Sequence, residues 1–255
     1  MNFDKTELSD EELSRYSRQI LLSDINYDGQ LKLAQSHAVI FGLGGLGSPV
    51  SLYLAAAGVG KLTLVDFDSV DDSNLQRQIV HREANIGQAK VDSAKQNLQA
   101  LNRHIQIATL NHSLDEAELL TLMESADIAI DCTDNFSSRF AINQACLQAK
   151  KPLVSGAAIR WEGQLTTYDF RQDNSPCYAC LYKPGSHQEL TCSQNGVLSP
   201  IVGMVGSMQS LEAVKALLGL PTLMGKLMIL DGYTLQIRTL NLKKDTHCPV
   251  CQAQS

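Results

Sequence analysis

"VIFGLGGLGS", residues 39–48, is an apolar run that breaks into a glycine turn, with Gly42, Gly44 and Gly47 at the spacing G-x-G-x-x-G. A buried strand feeding such a turn predicts a helix immediately after it, with backbone amides and the helix N-terminus brought close to a phosphate. The next residues fit. "GSPVSLYLAAAGVG" (47–60) reads as a helix ended by glycine, and "KLTLVDFD" (61–68) as a second strand with a carboxylate at its C-terminal end. This βαβ unit decides the fold class: α/β, built on a Rossmann-like, doubly wound and mainly parallel sheet.

The alternation continues outward. A helix is expected near 88–101, a strand near 104–110, a short helix near 115–123, a strand at "DIAIDCTDN" (127–135) and a helix near 135–149. Beyond these, "PLVSGAAI" (152–159) and "GQLTTYDF" (163–170) shift towards a period of two, which predicts added antiparallel strands. A loop over about 171–195, the apolar helix "IVGMVGSMQSLEAVKALLG" (201–219), and strands at "KLMILDG" (226–232) and "TLQIRTLNL" (234–242) complete the expectation. One unit over 1–255 is expected, nucleotide-binding over about 30–155 and partner-binding over about 156–255.

Composition narrows the function. The 255 residues are 44% hydrophobic and 19% charged, with a formal net charge of −6. That balance argues against broad nucleic-acid binding, which relies on basic residues neutralising phosphates. No uninterrupted apolar run reaches the ~20 residues of a membrane span, and the polar, acidic N-terminus does not fit a signal peptide, so no membrane partner and a cytoplasmic location are expected. In a reducing compartment the seven cysteines point to metal or thiol chemistry rather than disulfides.

Several constellations carry chemistry. Asp66 closes the second strand 19 residues beyond Gly47, where an acid accepts hydrogen bonds from a ribose, whether that of NAD or of ATP. Asn74, Arg77, Gln78 and Lys90 follow in the connection; Arg77 and Lys90 suit a triphosphate, or else are two solvated surface cations. "AIDCTDN" puts Asp131 and Asp134 at a strand end, where a carboxylate could hold Mg²⁺, or Asp134 could cap the next helix. The pairs Cys177/Cys180 and Cys248/Cys251 each supply half of a tetrahedral thiolate site, predicting a structural zinc clip on the C-terminal tail. Cys192, in a Gly- and Pro-punctuated loop, is a candidate for a thiol role or for plain packing. Cys132 and Cys146 read as buried, and the six histidines as structural or solvated.

Taken together, "RYSRQILL", "GLGGLGS", "LVDFDSVDDSNLQRQ", "GQAK", "DCTDN", "VSGAAIRWEGQ" and the two C-x-x-C pairs closely resemble the MoeB/ThiF family of ubiquitin-activating-like adenylyltransferases, over about Glu12 to Cys251. The resemblance implies ATP-dependent adenylation of the C-terminal Gly-Gly carboxylate of a small β-grasp sulfur-carrier protein, with release of pyrophosphate. It implies that Gly44 and Gly45 lie against the nucleotide, that Asp66 holds the ribose, that Asn74, Arg77, Gln78 and Lys90 surround the phosphates, and that Asp134 holds Mg²⁺. It further implies that Arg18 reaches into a neighbouring subunit's site, making a homodimer, and that Arg18, Arg77, Lys90 and Asp134 are the catalytic set. "VSGAAIRWEGQ" and "QRQIVHREANIGQAK" look more like the molybdopterin branch, while "YSRQILL" and "CPVC" also look like the thiamine branch, in which Cys192 matches a sulfur-transferring cysteine. A separate sulfur donor is expected. The competing classes are an NAD-dependent oxidoreductase using the same glycine loop and a non-catalytic module that binds a ubiquitin-like protein.

Overall fold

The computed structural model describes residues 5–183 and 196–252. Its centre is one eight-stranded sheet. In chain order the strands are β1 (His37–Phe41), β2 (Lys61–Val65), β3 (Gln106–Leu110), β4 (Ile128–Asp131), β5 (Pro152–Ile159), β6 (Glu162–Asp169), β7 (Lys226–Asp231) and β8 (Gln236–Asn241), arranged β3-β2-β1-β4-β5-β6-β7-β8. The pairings from β3 through β5 are parallel, and those from β5 to β8 are antiparallel. The expected change of strand direction after β5 is observed.

β1 is buried at all five positions because both of its faces are covered. Ala38 and Ile40 point into one apolar layer and Val39 and Phe41 into the other, the two-sided burial that makes a parallel strand read as unbroken hydrophobic sequence. The first layer is closed by α3 (Gly47–Ala57), α4 (Lys90–Leu101) and the long helix α8 (Ser199–Leu218). The second is closed by α5 (Glu116–Ser125), α6 (Phe136–Gln148) and the short α7 (Tyr178–Leu181), which lies inside the stretch expected to be irregular.

The N-terminal helices α1 (Asp10–Ile20) and α2 (Asn26–Gln35) are not in the sequence expectation. α1 carries a local signal all the same: Ser9 caps it and Glu12 bonds back in a reciprocal capping box. Helix α8 corrects the reading of hydropathy. By length and mean hydropathy (1.3) it could cross a bilayer, yet 56% of the stretch is buried inside the protein. Its glycines and serines interrupt the apolar run without lowering the average enough, and its apolar residues belong to the first core layer.

Candidate functional site

The sheet order places β1 between β2 and β4, so connections leave in opposite directions from the C-terminal ends of β1 and β4. That is where open α/β sheets form a ligand crevice. A cavity of about 570 Å³ opens there, lined among others by Gly44, Gly45, Asp66, Arg77, Gln78, Lys90 and Asp134.

The glycine turn has no room for side chains at two points. Gly42 has φ +87°, and a Cβ on Gly47 would meet the Gly42 carbonyl oxygen at 1.9 Å. Such a Cβ would break the turn that starts α3. At Gly44, by contrast, the nearest atom to an added Cβ is Gln78 Nε2 at 3.7 Å, so that glycine faces the cavity rather than packed protein.

Asp66 is braced from the backbone. Its Oδ2 accepts from the Leu43 amide at 2.7 Å and its Oδ1 from the Asp68 amide at 2.9 Å. Burial raises its pKa, while the Lys90 charge pulls the other way. Lys90, the first residue of α4, is buried and donates to Asp68 Oδ2 at 2.7 Å. The alternative of a solvated surface lysine fails on that burial. Arg77 donates to the Ser73 carbonyl at 3.2 Å and forms no ion pair with any described residue, leaving guanidinium donors for an anion. Gln78 is 4% exposed and its Oε1 has no partner, a vacant acceptor beside the cavity that a ligand hydroxyl would satisfy.

Asn74 ends a short 3₁₀ turn (Asp72–Asn74) and is not among the residues lining the cavity. Asp131 is consumed by structure: it is 1% exposed, Oδ1 accepts from Thr133 N and Oγ1, and Oδ2 accepts from Ser155 Oγ at 3.1 Å. Asp134 is the carboxylate left over. It lines the cavity, is exposed, and joins no ion pair among the described residues. The cap of α6 is Asn135, whose side chain accepts from Ser138 N at 2.8 Å, so Asp134 is not spent on capping. Arg18, in the last turn of α1, is exposed and does not line this chain's cavity. Cys192 lies outside the described residues.

Arg139 is a site residue that sequence reasoning missed. It is buried, it donates to the Thr133 and Gly156 carbonyls, and it lies 4.0 Å from Asp131 Oδ2, so it ties the β4 end to β5 behind Asp134. Its only signal is the DN-x-x-x-R spacing within α6. Phe67, His112, Leu114, Tyr178 and Tyr182 also line the cavity. Tyr178 falls between two of the paired cysteines.

Those cysteines converge. The sulfurs of Cys177, Cys180, Cys248 and Cys251 all lie within 4.8 Å of one another. Cys177 is 3.8 Å from Cys180 and 3.6 Å from Cys248, and Cys180 is 3.7 Å from Cys251. Sulfurs held tetrahedrally at 2.3 Å from a central ion would be about 3.8 Å apart, the spacing of these three pairs, so the donor set fits such an ion. The amides of Cys177 and Asp245 each donate to Cys180 Sγ at 3.4 Å. The hydrogen bond with Cys177, and then these amides, lower the pKa of Cys180 against burial, while the same hydrogen bond and burial raise that of Cys177, so one thiolate is favoured at Cys180.

The ThiF family model matches residues 16–250. The molybdopterin-synthase adenylyltransferase of Escherichia coli K12 is 49% identical over 96% of this chain and 98% of its own length. The adenylyltransferase and sulfurtransferase MOCS3 of Culex quinquefasciatus is 44% identical over 96% of this chain, which spans 57% of that longer protein. Among solved structures, E. coli MccB with selenomethionine MccA superposes with a TM-score of 0.82 at 25% identity, covering 96% of this chain and 75% of that one. PaaA does so with a TM-score of 0.79 at 28% identity, covering 95% and 77%. The family match runs through every element that builds the cavity and through three of the four clustered cysteines, and the chain belongs to the ThiF family.

Proposed function

We propose that this chain is an ATP-dependent adenylyltransferase acting on the C-terminal carboxylate of a small β-grasp sulfur-carrier protein, the small subunit of molybdopterin synthase, for molybdenum cofactor biosynthesis. The observation that carries this reading is the lining of one cavity by Asp66, Arg77, Gln78, Lys90 and Asp134. Two cations and a carboxylate that joins no ion pair among the described residues suit a Mg²⁺-bound triphosphate better than a dinucleotide. Full-length relatives named molybdopterin-synthase adenylyltransferase support the same branch.

In this reading Asp66 accepts from the ribose, Gly44 and Gly45 lie against the nucleotide, and Asn74, Arg77, Gln78 and Lys90 surround the phosphates. The carrier's terminal carboxylate attacks the α-phosphorus. A carboxylate–phosphorus bond forms, the bond from that phosphorus to the bridging oxygen breaks, and pyrophosphate leaves with the electron pair. The nucleophile is already ionised at neutral pH, so no general base is required. The barrier is charge crowding, which Arg77 and Lys90 relieve as negative charge builds on the leaving group. Bound Mg²⁺ supplies further positive charge against the phosphates, and Asp134 would hold it. Cys177, Cys180, Cys248 and Cys251 would hold zinc as a closed structural site.

Arg18, exposed and away from this chain's cavity, is read as serving the cavity of a second copy, so the working unit is a homodimer. The 1–255 stretch is read as one unit, its nucleotide part over about 30–155 and its partner and zinc part over about 156–255. A separate protein donates sulfur, and the enzyme works in the cytoplasm.

ATP–pyrophosphate exchange with Mg²⁺ tests this, run with no carrier, with the molybdopterin-synthase small subunit and with the thiamine-pathway carrier. Stimulation by the molybdopterin subunit alone is expected. Stimulation only by the thiamine carrier moves the substrate to the other branch, and silence in every arm with nucleotide binding intact favours the non-catalytic module.

A further inference from the structure

The buried imidazole of His81 is not explained by the roles above. Its ring lies between two partners: Nδ1 is 2.8 Å from Ser93 Oγ and Nε2 is 3.1 Å from the Leu43 carbonyl oxygen. A carbonyl can only accept, so Nε2 carries the proton and Nδ1 accepts from the serine hydroxyl. Burial lowers the pKa of the ring to about 4, which keeps it in this neutral tautomer at ordinary pH. Ser93 is itself fully buried on α4, so the imidazole cannot swing away without leaving a hydroxyl unpaired.

The carbonyl it holds belongs to the peptide that joins Leu43 to Gly44. In a trans peptide the carbonyl and the following N–H point in opposite directions. Holding the Leu43 oxygen inward therefore turns the Gly44 N–H outward, and Gly44 lines the cavity. That N–H makes no hydrogen bond within the described residues. The preceding peptide is fixed too, because the Leu43 amide donates to Asp66 Oδ2 at 2.7 Å. With no Cβ at residue 44, nothing local prevents this peptide from flipping. A flip would put a carbonyl oxygen where a phosphate oxygen binds.

We propose that His81 is a positioning residue: it clamps the Leu43 carbonyl so that the Gly44 N–H is presented to a nucleotide phosphate. This rests on the nucleotide reading of the cavity and adds to it the atom that sets the loop's polarity. The clamp acts on the phosphate part of the ligand and leaves the nucleoside part alone.

The experiment is calorimetric titration of the full chain with ATP and, separately, with adenosine, for the wild type, His81→Leu, His81→Gln and His81→Asn, each checked by thermal melting. His81→Leu should weaken ATP binding by about 10- to 100-fold, the range for a hydrogen bond to a charged group, with adenosine affinity unchanged. Glutamine carries its amide nitrogen at nearly the reach of Nε2 and should restore ATP binding, whereas asparagine falls short and should not. If the leucine variant fails to fold, the glutamine and asparagine pair decides alone. Equal ATP affinities in those two, or equal losses for ATP and adenosine, would overturn the clamp. A wild-type chain that binds no ATP would instead sink the nucleotide reading.

Discussion

Between pH 6.5 and pH 4 the buried imidazole of His81 should cost this fold stability. Burial is the largest cause that lowers the pKa of His81 from the ordinary 6.5 to about 4, helped by the charges of Lys90 and Arg82 and opposed by the bond to the Leu43 carbonyl. The unfolded chain takes up a proton at the ordinary value and the folded chain does not. Over that window the unfolded state binds more protons, so stability falls as the pH falls. At about 1.36 kcal/mol for each tenfold in proton affinity, the drop from 6.5 to about 4 sets the loss at about 3 kcal/mol. It is absent above pH 6.5 and complete below pH 4.

The assay is urea denaturation from pH 3.5 to pH 8 on the wild-type chain and on His81→Gln, which keeps a donor for Leu43 and has nothing to titrate there. Asp169, the cysteine cluster and His37, whose pKa burial also lowers, titrate in both proteins, so the difference between the two stability curves isolates His81. That difference should stay constant above pH 7 and shift by about 3 kcal/mol in favour of glutamine by the acid end. Curves that remain parallel throughout would refute the buried, neutral histidine.

Three further outcomes are expected. Asp134→Ala should lower ATP–pyrophosphate exchange on the order of 100-fold, the scale for losing a preorganised electrostatic partner, without moving the melting temperature, because the residue is exposed; near-normal exchange would end its magnesium role. Elemental analysis should find about one zinc per chain, and chelation should lower the melting temperature and release the tail that carries Cys248 and Cys251; a metal-free protein with an unchanged melting curve would count against the clip. Mixed Arg18→Ala and Lys90→Ala chains should recover part of the activity that each lacks alone, and no recovery after verified subunit exchange would argue against a shared site.

The sheet was legible in the sequence because its information is local: buried parallel strands read as short apolar runs, glycine closes α3, and the change to period two at "GQLTTYDF" coincides with the first antiparallel pairing, β5 with β6. The cysteine pairs were legible because C-x-x-C fixes two ligands within one turn of chain, whatever brings the halves together. What the sequence could not settle depends on distant partners. Asp131 and Asp134 look alike as letters, and only Ser155, 24 positions away, and the neighbouring Thr133 show which carboxylate is occupied. His81 reads as one more structural histidine until Leu43, 38 positions earlier, is found against its ring. Asn74, near Arg77 in sequence, ends a short 3₁₀ turn and is not among the residues lining the cavity.

Helix α8 has a consequence for how the protein is made. Residues of α8 such as Ile201, Val202 and Val205 complete the apolar layer begun by Ile40, Leu54 and Leu64, yet they are synthesised more than 130 positions after that layer starts. Until α8 has left the ribosome, that face of the sheet is covered only in part, by α3 and α4. At roughly 5 to 20 residues per second, that interval lasts from several seconds to about half a minute, and for its duration the growing chain displays a sticky surface. The segment that later covers this surface is apolar enough to be taken for a membrane anchor. Demand for a holding chaperone should therefore peak while the chain lies between the emergence of β4 and that of α8, and then end abruptly.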